Sequence, residues 1–238
     1  MAVSNTLTAK KADKEETKIV EFDSNGEKVK LSPAIIRKYL VSGGGKVSDE
    51  EVMMFLSLCR FQHLNPFLRE AYLIKYGDNS SATIVTGKDV FLKRAKRNTA
   101  FMGKQAGIIV VDEDGTVTER DGTFYLPSEK VIGGWARVFV KGYQEPEYIS
   151  VPFEEYAGRK KDGSLNSQWA SKPATMIRKV ALVQCLREAF PDDFDGLYAP
   201  EEIPEAADFI IDEPVPQPKV EEEPKNAGGV SDAFFDEE

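Results

Sequence analysis

Between residues 31 and 199 the spacing of apolar positions switches between helical and strand periods. Ser32-Pro33 is a helix start, because proline at the first helical position loses an N–H that would have no partner there. That helix is predicted to run to about Val41 and to stop at Gly43-Gly44-Gly45. Ser48-Asp49-Glu50-Glu51 has the form of a capping box, in which the Ser48 hydroxyl and the Glu51 carboxylate satisfy exposed first-turn N–H groups. Behind it Val52, Phe55, Leu56 and Cys59 share one helical face. Asn65-Pro66 breaks the pattern. Two strands, Tyr72 to Tyr76 and Ala82 to Val85, flank a polar turn at Gly77-Asp78-Asn79. A helix follows from Gly87 to about Asn98. Three strand-like runs come next, Gly107 to Val111, Gly134 to Val140 and Tyr148 to Val151, with a turn-rich hairpin from Asp112 to Tyr125 between the first two. The last strong element is a helix from about Pro173 to Phe190, apolar on most sides and therefore buried on most sides. This order predicts an α+β fold: helices packed on a mainly antiparallel sheet with a β-β-β-α core. No internal repeat is present.

Charge divides the chain. The 238 residues carry a net charge of −9, but residues 201–238 hold thirteen acids and two lysines, so this segment alone carries −11 and the other 200 residues carry +2. An acidic whole therefore does not exclude a nucleic-acid partner for the body. The tail is also rich in proline, from Pro200 to Pro224, and too poor in apolar surface to offset the entropy of ordering. Residues 1–30 are expected to be a flexible arm, 31–199 the folded domain, and 200–238 a disordered acidic tail in which Phe234-Phe235 is a possible partner-docking element. No apolar run approaches the ~18–20 residues that span a bilayer. Met1 to Lys18 lacks the apolar stretch of a signal peptide. Together these point to a soluble, intracellular protein with no membrane partner.

Enzyme patterns fail in turn. Cys59 and Cys185 lie in apolar helical settings, which excludes a disulfide framework and a cysteine zinc cluster, and the single His63 excludes any site needing two histidines. Gly87-Lys88 is not a phosphate-binding loop, since Ala82 and Asp89 stand where glycine and serine or threonine are required. Gly43-Gly44-Gly45 is not a dinucleotide fingerprint, and Gly-x-Ser-x-Gly does not occur. Asp112-Glu113-Asp114 beside Gly115 is the sole carboxylate cluster with a claim on a divalent metal; the plainer reading is a hairpin turn facing water. The expectation is a non-enzyme without cofactor, with magnesium acting at most as a counterion.

Two basic segments say more. On the helix from Lys88, Lys93, Arg94, Lys96 and Arg97 oppose an apolar face of Phe91, Leu92 and Ala95, with Asp89 the only acid. A solvated face normally mixes signs, and this one hardly does. From Arg159 to Arg187 stand Arg159, Lys160, Lys161, Lys172, Arg178, Lys179 and Arg187, with Trp169 among them and Tyr156 just before. Cations neutralise phosphates and aromatics stack on bases, so these residues are candidates for holding a nucleic-acid strand. For Trp169 the alternative of a core or loop-anchoring residue is the stronger. Lys179 and Arg187 lie roughly 80° apart on the last helix and are expected to share a positive flank, with Arg178 on another side.

Leu64-Asn65-Pro66-Phe67 followed by Glu70 and Tyr72, then Val85-Thr86-Gly87-Lys88-Asp89, resembles the Bet/RecT family of phage single-strand annealing proteins. The most specific stretch is Trp169 to Pro173, Met176-Ile177-Arg178-Lys179, Gln184-Cys185 and Arg187 to Phe190, which is similar to that family's helix and closer to its Bet branch. Ala174, Thr175 and Val180 stand where the Bet pattern often carries further cations, which implies either fewer DNA contacts there or contacts supplied by Lys172, Lys179 and the 159–161 loop. The resemblance implies binding of single-stranded DNA and of the annealed duplex, and ATP-independent pairing of complementary strands in recombination and repair. It also implies self-assembly into rings or helical filaments, a partner exonuclease, the host single-strand-binding protein, and a bacterial cytoplasm as the setting of a phage or prophage product. Residues 31–199 would then be a DNA-binding and oligomerisation domain. The alternatives are a passive single-stranded nucleic-acid binder, a metal-dependent nuclease and a structural adaptor.

Overall fold

The computed structural model describes residues 19–160 and 162–203. Strands β1 (Val20–Ser24) and β2 (Glu27–Leu31) form an antiparallel hairpin. Its turn, Asn25-Gly26, has positive φ at both residues (58° and 86°), the geometry of a two-residue hairpin that suits this dipeptide. Phe22, Val29 and Leu31 alternate inward to join the core. The flexible arm predicted for residues 1–30 is thus corrected for its second half: residues 20–31 are a packed hairpin, whose charged outer positions mask a period-two pattern. Residues 1–18 lie outside the described residues, as does the tail from 204 onward.

Ser32 starts α1 (Pro33–Ile35), its hydroxyl accepting the Ile35 N–H at 3.3 Å. The helix widens into a π-turn at Ile36–Leu40 and gives way to a two-residue strand, β3 (Val41–Ser42). The capping box forms at the head of α2 (Asp49–Phe61): Ser48 Oγ accepts from Glu51 N–H at 3.3 Å, and Glu51 Oε2 from Ser48 N–H at 2.8 Å. Glu51 also takes Lys75 Nζ at 2.9 Å and the Ala82 N–H at 2.8 Å, tying α2 to the next two strands. These partners, the Lys75 ammonium first, hold its carboxyl down to about 2.

Strands β4 (Ala71–Ile74) and β5 (Thr83–Thr86) pair antiparallel, and β3 joins β4 in parallel. Then come α3 (Lys88–Arg97), β6 (Phe101–Val111), β7 (Val117–Asp121), β8 (Lys130–Val140) and β9 (Glu147–Pro152). These four strands form an antiparallel sheet in the order β7-β6-β8-β9. Strands β6 and β8 are longer than their apolar runs suggest, and β7, wholly polar but for Val117, lies within the turn-rich segment, where its composition gives no strand signal.

Short helices α4 (Phe153–Tyr156) and α5 (Ser167–Ser171) lead into α6 (Pro173–Ala189), followed by α7 (Pro191–Phe194). Helix α6 lies across β6, β8 and β9 and against α3. Gly134 makes the close approach possible, since a Cβ there would stand 2.7 Å from the Ile177 carbonyl oxygen. Nine residues of α6 are buried, around most of its circumference. The result is the mixed α+β arrangement of helices on an antiparallel sheet that the pattern predicts.

Candidate nucleic-acid interface

The site begins with a tight turn. After Asn65 the chain makes one 3-10 turn, Pro66–Leu68, in which Asn65 Oδ1 accepts the Phe67 N–H at 3.0 Å. Arg69 closes it in the left-handed region (φ 60°). Glu70, almost wholly buried, locks the turn: its Oε2 accepts the Asn65 N–H and its Oε1 accepts Lys93 Nζ, both at 2.9 Å. The buried carboxylate thereby fixes the loop and positions a half-exposed lysine of α3. The Gly87 N–H donates to the Glu70 carbonyl at 3.1 Å, which sets the start of α3 beside the same turn.

Two adjoining concavities run between α3 and α6 and share Lys88, Asp89 and Lys179. One extends toward the turn, past Arg69, Tyr72 and Lys93. The other extends over β6, past Lys104, Arg178, Leu182 and Leu186. Together they form a groove lined by six cations, Arg69, Lys88, Lys93, Lys104, Arg178 and Lys179, against two carboxylates, Glu70 and Asp89. Arg178 Nε donates to the Ala106 carbonyl at 3.0 Å, which anchors the guanidinium over β6. The Arg69 guanidinium stands 5.9 Å from the centre of the Tyr72 ring. Half-burial pushes the Lys104 ammonium below the usual lysine range, and the charges of Arg178 and Lys96 push it the same way. The groove thus holds crowded, partly desolvated positive charge, which a phosphate would relieve.

The expected residues separate into groups. Lys93, Arg178 and Lys179 line the groove, and Lys96 acts on it through Lys104. Arg97 donates to Asn25 Oδ1, tying the β1–β2 hairpin to α3. Arg159 pairs with Glu154 and donates to the Gly163 carbonyl at 2.9 Å, and the Lys160 N–H donates to the Ser164 carbonyl at 2.8 Å, so these residues build a turn of their own. Lys161 lies outside the described residues. Lys172 is exposed at the junction of α5 and α6. Trp169 is fully buried, its ring 5.3 Å edge-on to Phe153, so it anchors the loop and cannot stack on a base. The pairing expected on α6 is reversed. Arg178 and its neighbour Lys179 share the groove, whereas Arg187 forms an ion pair with Glu202 at 2.6 Å and lies 4.8 Å from the centre of the Tyr198 ring. Helix angles alone place Arg178 apart, yet both it and Lys179 line the same concavity.

Arg69, Lys88 and Lys104 complete the groove beyond the residues that sequence reasoning marks. Lys88 opens the basic helix and is legible there; Arg69 and Lys104 stand isolated in sequence and carry no signal. Arg94 is a structural tie, donating to Gln62 Oε1 at 2.8 Å and to the Asp193 carbonyl at 2.9 Å. Asp112 turns one carboxylate oxygen toward the N–H groups of Asp114 (3.0 Å) and Thr116 (2.8 Å), a turn device. Among the described residues no group of three or more His, Cys, Asp or Glu is placed to hold a metal ion. Nor is any helix among them long and apolar enough to cross a membrane. Burial pushes the Cys185 thiol up to about 12 and raises Cys59 as well, which leaves both thiols unreactive.

A family model, that of the RecT family, matches residues 28–216 and so takes in the hairpin strand β2, the Asn65–Glu70 turn, the whole groove and the first part of the acidic segment. It does not distinguish the Bet branch. No curated protein matches the chain. RecT-family proteins bind single-stranded DNA and anneal it in recombination, which accords with a groove lined mainly by cations. The match covers most of the 238 residues, and the chain belongs to the RecT family of single-strand annealing recombination proteins.

Proposed function

We propose that the chain anneals complementary DNA strands without ATP, as an oligomer, with the backbone of the first strand lying in the groove between α3 and α6. The observation that carries this reading is the convergence of six cations from the Asn65–Glu70 turn, α3, β6 and α6, with Lys104 half-buried beside two further positive charges. Contacts to phosphates fix a strand's position without reading its sequence. Complementarity then supplies the specificity, and pairing is downhill by roughly 1.4 kcal/mol per base-pair step, so no nucleotide hydrolysis is needed. Magnesium enters as a counterion only. Adjacent subunits in a ring or filament would make the groove continuous. The reading includes the Bet branch, a partner exonuclease, the host single-strand-binding protein and the cytoplasm of a bacterial host of a phage or prophage. Mixing the protein with two complementary oligonucleotides in succession, without nucleotide, tests it: duplex forms faster than in protein-free controls. A passive single-strand binder would instead retain the first strand and leave the pairing rate unchanged or lower.

A further inference from the structure

The last described stretch of chain is strapped down beside the groove. The Tyr198 carbonyl accepts the Thr86 N–H of β5 at 2.7 Å. Glu202 Oε2 accepts the Ala199 N–H at 2.9 Å and pairs with Arg187 of α6 at 2.6 Å. Ile203 packs on a small apolar cluster of Tyr72, Ile74 and Val85. Tyr72 lines the groove. The chain therefore leaves the described body beside β4, whose Tyr72 lines the candidate DNA site. The remaining segment, residues 204–238, is 35 residues long with eleven acids and two lysines, a charge of −9. A strand of like charge, DNA, is what the groove is built to take.

We propose that the acidic segment 204–238 is a tethered occupant of this groove, which DNA must displace. This rests on the reading of the groove as the DNA site. A segment tethered at the rim reaches a millimolar-scale effective concentration there, enough for weak carboxylate–cation contacts to compete. Competition is local, because charges separated by more than about 8 Å are screened at physiological salt. Its consequence is selective. Loosely held single strands are displaced by the tail, while strands engaged along several cations prevail. Part of the counterion release that drives DNA binding has then already occurred on the tail, so the intact chain has a shallower salt dependence than a tail-neutralised one.

The test uses the full chain with six tail charges removed (Glu221→Gln, Glu222→Gln, Glu223→Gln, Asp236→Asn, Glu237→Gln and Glu238→Gln). Binding of a fluorescent oligothymidylate is followed over a range of salt. The neutralised chain should bind roughly three- to tenfold more tightly at low salt, with a steeper salt slope, and the two curves should converge as salt rises. Equal affinity and slope for the two chains would overturn the proposal while leaving the DNA site intact; loss of binding in both would overturn the DNA reading instead. A second readout locates the tail directly. A thiol-directed photo-crosslinker on Ser231→Cys, with Cys59 and Cys185 shielded by burial, should attach chiefly to peptides bearing Lys88, Lys104 and Lys179, and added oligothymidylate should suppress those crosslinks. Crosslinks scattered over the surface, or unmoved by oligothymidylate at concentrations that the titration shows to be bound, would refute docking in the groove.

Discussion

Arg178, Lys179 and Arg187 stand on one helix and carry one charge each, yet their surroundings give them different work. Arg178 and Lys179 face the groove, whereas Arg187 holds Glu202 and the ring of Tyr198. Replacing Arg178 or Lys179 by glutamine should weaken single-strand binding equally for all sequences and lower the slope of log affinity against log salt by about 0.7 for each phosphate no longer neutralised. Arg187→Gln should leave that slope unchanged and instead lower thermal stability, by roughly 1–3 kcal/mol, because Glu202 loses a charged partner. Titrations at several salt concentrations beside melting curves separate the two outcomes. Lys104 adds a pH dependence. Its ammonium is pushed below the usual lysine range of ~10.4, so the unliganded groove loses this charge early as pH rises, while a bound phosphate favours keeping it. Affinity should therefore fall as pH is raised from neutrality toward that range, and Lys104→Gln should bind more weakly but with a flatter profile. None of this division is legible in sequence. Helix spacing gives the angle between side chains but not which acids and carbonyls wait at each angle, and an isolated cation such as Arg69 or Lys104 acquires meaning only when the chain folds around it.

The secondary elements are easier to read where local chemistry decides them. Ser48 and Glu51 cap α2 as their spacing dictates, and Ser32-Pro33 opens α1. Where tertiary pairing decides, the pattern misleads. The expected helix from Ser32 to Val41 yields to a π-turn and to β3, because Val41 and Ser42 pair with Leu73 and Ile74. The β1–β2 hairpin does leave a signal, Asn25-Gly26 between alternating Phe22, Val29 and Leu31, but its flanking charges resemble an arm. Glu51 shows how a local device becomes a tertiary one: the capping carboxylate also takes Lys75 and the Ala82 N–H. Glu51→Gln should cost roughly 1–3 kcal/mol at neutral pH. A carboxyl depressed from 4.5 to about 2 stabilises the fold fully above its unfolded value and loses that contribution as pH falls through about 2. Denaturant curves of the two proteins should accordingly lie well apart at pH 7 and draw together between pH ~4.5 and ~2.

At the scale of the whole molecule, the groove exists only because four parts of the chain meet. The Asn65–Glu70 turn supplies Arg69 and fixes Lys93, α3 supplies Lys88, β6 supplies Lys104, and α6 supplies Arg178 and Lys179. The charge division of the sequence, −11 over residues 201–238 and +2 elsewhere, hints at a basic body but cannot locate its positive face. The helix with Met176 to Phe190 and the Leu64–Tyr72 segment, which carry the family resemblance, flank that face. The central claim is that this groove holds the strand while its complement pairs. The most direct measurement compares the intact protein with an Arg178→Gln, Lys179→Gln double variant of matching melting temperature. Complementary oligonucleotides are added one after the other without ATP, and duplex formation and particle size are followed together. The intact protein should accelerate pairing and form larger particles when the second strand arrives, and the double variant should lose most of that acceleration, recovering part of it as salt is lowered. A double variant that pairs strands at the rate of the intact protein, with the same salt dependence, would contradict the account.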